Sequence, residues 1–229
     1  MTSFSSKKFI VWDWNGTVID DVHAAHQAFN EAMIFMTKSP VTLEQYREAY
    51  DFPLTKLFMQ LGLLAEELEK NLASMMVVFH RHFENLSRSA NIRQNWSTLH
   101  PLFVERKFSN VILSNHLTEM IQGHAAHLGI AQQFDHILAN GNQEEQLRKL
   151  SKGERLHQYM EKHDLSGQNG IIIGDTPEEA HIGRELGMPS VLITGGYASQ
   201  TRLEAAAPAY LIHSFTELTP LLHEKGYLS

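Results

Sequence analysis

Three residues able to do chemistry stand at the ends of apolar runs. Asp13 follows Lys8–Trp12 ("KFIVW"), Ser114 closes Asn110–Ser114 ("NVILS") with Asn115 behind it, and Asp175 follows Gly170–Gly174 ("GIIIG"). A carboxylate can attack an electrophile or ligate a hard cation, and a hydroxyl can donate to an anion. Each residue alone has a plainer reading. Asp and Ser are good helix N-caps, and Asp175-Thr176-Pro177-Glu178-Glu179 carries the proline and acids that suit a helix start. All three together, each behind an apolar run, outweigh that reading.

The runs that must position them are nearly continuous in apolar residues rather than alternating. Such strands suit a parallel sheet covered on both faces. Ser190–Thr194 is a fourth run of this kind, and His136–Ala139 and Ala209–His213 are weaker ones. Helical patterns fall between them at Leu117–Leu128, at Ser151–His163, where Ser151 and Glu154 form a capping-box pattern, and at Pro177–Leu186, which stops at Gly187. Strand alternating with helix implies an α/β core, a doubly wound Rossmann-like parallel sheet with right-handed crossovers. In such sheets ligands bind beyond the carboxyl ends of the strands, where Asp13, Ser114 and Asp175 stand.

From about Val22 to Pro101 the pattern is helical with no convincing strand. Candidate helices cover Asp21–Met36, Thr42–Tyr50 (opened by a Thr42/Gln45 capping box), Pro53–Gly62 and Ala65–Leu86. A block of about eighty residues is too long for a simple crossover. The expectation is an inserted all-helical cap domain over 21–101, with 1–20 and 102–229 forming the core.

The chain has 229 residues, 43% apolar and 20% charged, within the ordinary range for a globular protein. A net charge of −7 argues against nucleic acid or an acidic membrane as partner. The absence of cysteine excludes disulfides and thiolate metal sites. No signal peptide or spanning run is visible, so a cytoplasmic monomer is expected. Fourteen histidines give i, i+3 pairs at His23/His26 and His124/His127 without a third ligand, which polar helix faces explain.

With these motifs the chain resembles the haloacid dehalogenase-like superfamily, in its phosphoglycolate phosphatase-like branch. The first family motif, D-x-D-G-T/V, corresponds to Asp13-Trp14-Asn15-Gly16-Thr17, with Asp20 following. The second corresponds to Ser114, and the third, a lysine near a helix start, to Lys152 with Lys149 as runner-up. The fourth, G-D-x-x-x-D, corresponds to Gly174–Glu179 with glutamate in the last place. The resemblance implies a magnesium-dependent phosphohydrolase of a small phosphorylated metabolite. Asp13 is then the nucleophile, and Mg2+ is held by Asp13, Asp175, Glu179 and the Asn15 backbone carbonyl. Phosphate is bound by Gly16, Thr17, Ser114, Asn115, the helix N-terminus expected there, and Lys152. Arg47 and Lys56 are candidate specificity charges on the cap.

Asn15 stands where the family has its proton-transferring aspartate. An amide neither gives nor takes that proton near neutral pH. Three expectations follow: a good leaving group, another proton donor such as His116 or a histidine on the cap, or a weakly active or inactive phospho-ligand binder. A dehalogenase-like or phosphonatase-like hydrolase is the remaining alternative, the latter needing a reactive cap lysine among Lys38, Lys56 and Lys70. Trp14 and the Gly195–Ser199 turn could line the cleft or serve packing and turn geometry.

Overall fold

All six apolar runs join one parallel sheet in the computed structural model, which describes residues 7–141 and 151–227. In chain order the strands are β1 (Phe9–Trp12), β2 (Ile19–Asp20), β3 (Asn91–Ile92), β4 (Ser109–Leu117), β5 (His136–Asn140), β6 (Gly170–Gly174), β7 (Ser190–Ile193) and β8 (Tyr210–Ile212). The sheet order is β5-β4-β1-β6-β7-β8, so β1 lies between β4 and β6. The three strands that end in chemistry-bearing residues are therefore neighbours. The chain adds strands on one side of β1, then crosses to the other, which creates the switch point where α/β sheets bind ligands.

Alternate strand residues face opposite layers, and both layers are apolar. Ile10, Trp12, Ile112, Ile171 and Ile173 enter one buried cluster, and Phe9, Val11, Val111, Leu113 and Ile172 enter another. That two-sided burial is why the strands read as unbroken apolar runs.

Helices α1 (Val22–Phe35), α2 (Leu43–Ala49), α3 (Leu54–Gln60) and α4 (Ala65–Ser87) follow β2. They have their own apolar cluster, built on Phe29, Met33, Tyr46, Phe58, Met75 and Phe79. Thr42 and Gln45 form the expected capping box. Two features of the 22–101 stretch differ from the sequence reading. Residues Asn91–Ile92 pair antiparallel with Ile19–Asp20, a ladder too short to leave a period-2 pattern. Helix α5 (Trp96–Glu105) also packs with the sheet rather than with the other inserted helices, since Trp96, Leu99 and Phe103 belong to the cluster around Trp12. Trp12 meets Trp96 and Phe103 edge-on at 4.9 and 5.5 Å.

Among the described residues, further α-helices are α6 (Thr118–His127), α7 (Lys152–Lys162), α8 (Pro177–Leu186), α9 (Gln200–Ala205) and α10 (Phe215–Glu224). Among the described residues, no helix is long and apolar enough to cross a membrane.

Candidate active site

Parallel register sets the site. Trp12 is level with Ile112 on β4 and Ile173 on β6, so Asp13 leaves the sheet one residue ahead of Ser114 and Asp175. Its amide still donates to Ile173 O at 2.9 Å, which holds the first residue beyond β1 in strand-like placement. Asp13, Ser114 and Asp175 are all buried.

Lys152 joins them from the first turn of α7, whose start is fixed by the Ser151/Glu154 capping box. The ammonium is buried, 2.6 Å from Asp13 Oδ1, 2.5 Å from Glu179 Oε1 and 4.0 Å from Glu178 Oε2. Burial alone would lower its pKa, but Asp13, Glu179 and Glu178 together raise it, so the lysine stays charged. Burial pushes Asp13 well up, Lys152 pulls it back, and Glu179 and Asp175 push it up again. One ammonium serves a cluster richer in carboxylates than it can neutralise. Lys149, the alternative lysine, lies outside the described residues.

Asp175 is held from three sides. Thr17 Oγ1 donates to Oδ1 at 2.8 Å, the Tyr197 amide donates to Oδ2 at 2.6 Å, and its carboxyl is within hydrogen-bonding reach of Asp13. Burial raises its pKa despite these donors. The helix-cap role falls to Thr176, which caps α8 with Glu179 in a capping box and leaves Asp175 free for the site. Glycine is required at two places around this carboxylate. A Cβ on Gly16, at φ +73°, would collide with Asp175 and the Tyr197 ring, and one on Gly196 would collide with the Asp175 side chain. The Gly195–Ser199 turn is thus part of the site wall as well as a turn.

Asn15 has a partner that the sequence reading missed. Its Nδ2 donates to Asp21 Oδ2 at 2.6 Å, while Asp21 Oδ1 accepts from the Gly16 amide at 2.9 Å and from Tyr197 Oη at 3.2 Å. Asp21 is almost fully buried, and burial raises its pKa to about 7 against the three donors. The only sequence signal was the adjacent acids Asp20 and Asp21. Asp20 is exposed; Asp21 turns inward.

Ser114 Oγ accepts from the His116 amide at 3.1 Å, which leaves its own O–H to donate elsewhere. Asn115 Nδ2 donates to Glu178 Oε2 at 3.0 Å, and Arg155 donates to Ser114 O at 2.8 Å and Asn115 Oδ1 at 3.1 Å, fixing this loop. The expected helix N-terminus at Asn115 is not there. The strand continues to Leu117 and α6 begins at Thr118, so its first amides lie beyond Ser114. His116 lines the cavity, but burial, with His80 and His124 adding to it, lowers its pKa to about 4. A neutral imidazole is not the missing acid.

A cavity of about 440 Å³ connects Asp13, Asn15, Ser114, Asn115 and Lys152 with the helical layer, where Tyr46, Tyr50, Phe79 and Phe83 face it. Lys56 lies on it; Arg47 does not. Arg47 instead donates to Gly196 O at 2.8 Å and Gly195 O at 2.7 Å, tying α2 to the turn beside Asp175. Trp14 is fully buried, edge-on to His124 and Phe134 at 6.0 Å each, so packing is its role.

The donor set suits a hard cation bound mainly by water. Asp13, Asp175 and the Asn15 carbonyl are oxygen donors, and burial with neighbouring carboxylates disfavours ionisation of both Asp13 and Asp175, a penalty that a cation would relieve. Among the described residues, no three imidazoles or carboxylates form a ready cage. Both Glu179 oxygens are engaged, Oε1 by Lys152 and Oε2 by Thr176 Oγ1 at 2.8 Å.

The family model described as haloacid dehalogenase-like hydrolase matches residues 10–193, which include every strand-end residue of this site. The chain belongs to the haloacid dehalogenase-like hydrolase family. Among curated relatives, a phosphoglycolate phosphatase from Photobacterium profundum is 23% identical over 95% of this chain and 96% of its own. One from Vibrio parahaemolyticus is 21% identical over 92% and 94%. A solved haloacid dehalogenase-like family protein from Streptococcus pneumoniae superposes with a TM-score of 0.79 at 22% identity, covering 95% of this chain and 99% of that one. A protein described as a predicted phosphoglycolate phosphatase from Haemophilus somnus gives 0.72 at 15% identity, covering 96% and 99%. These superpositions bear on the fold: the parallel core and the helical layer are both shared along nearly the whole chain.

Proposed function

We propose that the protein is a magnesium-dependent phosphohydrolase acting on a small phosphorylated metabolite through an aspartyl phosphate. The observation that carries this reading is the buried Lys152 ammonium at 2.6 Å from Asp13, on a cavity that Ser114 also lines. A carboxylate nucleophile alone would repel a phosphate dianion, and a fixed cation with a hydroxyl donor removes that repulsion where the charge develops. Asp13 attacks phosphorus, the ester oxygen leaves, and water then hydrolyses the acyl phosphate to restore Asp13. Ser114 and Lys152 hold the phosphoryl oxygens, with the Asn115 loop beside them, while the Gly16 amide and the Thr17 hydroxyl are committed to Asp21 and Asp175. Glu179 acts by holding Lys152. Magnesium would be held by Asp13, Asp175 and the Asn15 carbonyl. It supplies charge neutralisation for the phosphoryl oxygens.

The cap in this reading consists of α1–α4, about 22–88, and closes over the cavity from the helical side. Support for that shorter span comes from the separate apolar cluster of α1–α4 and from the packing of α5 on the sheet. Among the candidate cap lysines, Lys38 pairs with Glu67 at 3.0 Å, and Lys56 is the one on the cavity.

The test is phosphate release with Mg2+ from a panel of monoesters, including phosphoglycolate because the curated relatives carry that name. Turnover lost on chelation and abolished in Asp13→Asn is expected. An Asp13→Asn protein as active as the native one would sink the assignment.

A further inference from the structure

We propose that the cavity is built for phosphate monoesters of flat, apolar, weakly basic leaving groups, that is, aryl phosphates, which depart as phenolates without a proton from position 15. This rests on the phosphohydrolase reading and names the substrate class of the same site.

Two independent features converge on it. The first is the proton inventory. Asn15 cannot protonate a leaving oxygen, and its amide is anchored on Asp21. Nor is His116, the imidazole next to Ser114 on the cavity, cationic, since burial keeps it neutral; burial also lowers the pKa of His80, and His181 is the third imidazole on the lining. An alkoxide leaving unaided is a poor leaving group, whereas a phenol ionises near pH ~10 and leaves as the anion. The second is the wall. Beyond the phosphate end, the cavity is faced by Tyr50, Phe52, Leu54, Phe79 and Phe83, a surface for a planar apolar group. The other cations on it are engaged: Lys56 lies 3.6 Å from Asp51, and Arg202 donates to Tyr50 O. A leaving group with its own carboxylate finds no uncommitted lysine or arginine among the described lining residues.

One polar atom on that wall is left over. Tyr46 Oη is buried with no hydrogen-bond partner in the structure, and the residue lines the cavity. Burial, reinforced by Asp21 and Asp175, holds its phenol protonated, so it is a donor. An orphaned buried hydroxyl is costly, and this one lies within the wall, closed to solvent.

The bonds balance without an external acid. Asp13 forms a P–O bond as the P–O(aryl) bond breaks, and the electron pair leaves on the phenolate. Water then attacks the acyl phosphate, one of its protons passes to a phosphoryl oxygen, and dihydrogen phosphate and the Asp13 carboxylate result.

The experiment uses the full chain with Mg2+ and a series of ring-substituted phenyl phosphates alongside alkyl phosphates such as glycerol phosphate. Expected is a kcat/KM that falls steeply with leaving-group pKa, with aryl esters ahead of alkyl esters by at least ~10²-fold, the scale of a missing general acid. Asn15→Asp should raise alkyl turnover by ~10²-fold or more and flatten the dependence. Alkyl esters turned over by the native protein at the aryl rate, or an unchanged slope in Asn15→Asp, would overturn the leaving-group assignment while leaving a phosphatase. No turnover of any ester, with Asp13→Asn indistinguishable from native, would instead overturn the phosphohydrolase reading and this inference with it.

Discussion

At the scale of single residues, the site is a charge problem before it is a catalytic one. Asp13 and Glu179 are buried and meet at one ammonium. Removing one partner of a buried pair leaves the other charge without compensation, which costs about 3–5 kcal/mol. Lys152→Met should therefore lower the urea-unfolding free energy by about that amount and reduce turnover by at least ~10²-fold. Unchanged stability would mean the pair is not formed in solution. Asp21 gives the opposite kind of test. Its pKa of about 7 when folded lies above the usual 3.8. Between those values the folded chain keeps a proton that the unfolded chain has lost. Its contribution is thus intact below about pH 4 and falls as pH rises towards 7, by ~1.4 kcal/mol per pH unit and about 4 kcal/mol at most. Comparing the pH slope of unfolding free energy in native protein and Asp21→Asn checks this, since the variant should lose that part of the slope. That Asp13, Ser114, Lys152 and Asp175 stand together was legible in the sequence because each follows a strand or opens a capped helix. Asp21 was not, because its role arises from an amide six residues earlier folding back across the Gly16 turn.

At the scale of elements, legibility followed length and uniformity. The strands of the sheet announce themselves because burial on both faces demands unbroken apolar runs. The β2–β3 ladder has two residues on each side and no room for a pattern. Helix α5 hid behind Pro101, which reads as a stop yet lies inside the helix. What makes the β1 turn specific is steric rather than periodic. Gly16 sits at positive φ with the Asp175 carboxylate and the Tyr197 ring filling the place a Cβ would take. Gly16→Ala asks a side chain to adopt a left-handed backbone, ~1–2 kcal/mol, and to push into a packed carboxylate, typically another ~1–3 kcal/mol. Urea denaturation should show a loss of about 2–5 kcal/mol. Turnover should fall further than the folded fraction does, because the displaced group is Asp175. A variant with normal kinetics per folded molecule would show that Asp175 tolerates displacement.

At the scale of the whole molecule, the question is how two separately packed layers enclose one cavity. The three tryptophans lie in the sheet core, and the α1–α4 cluster contains none, so the layers can be followed apart. Their contact beside Asp175 is polar. Arg47 of α2 donates to the carbonyls of Gly195 and Gly196, and its own carbonyl accepts from Ser199 N at 3.1 Å. Tyr197, between those glycines and Ser199, reaches both Asp175 and Asp21. A shift of α2 is thereby coupled to the two buried carboxylates that flank Asn15 and Asp13. Arg47→Ala removes two charge-assisted hydrogen bonds at a partly exposed position, so the stability cost should stay within about 1–2 kcal/mol. Its kinetic cost should be larger, because a loosened layer closes less well over substrate and holds the Gly195–Ser199 turn less firmly. Loop and hinge contacts of this kind typically change kcat and KM together. The expected outcome is a tryptophan-fluorescence unfolding midpoint close to native, with KM raised and kcat lowered several-fold for the same ester. Kinetics at the native level in Arg47→Ala would mean that the layers hold their alignment through apolar packing alone, and that the arginine serves only to satisfy two carbonyls.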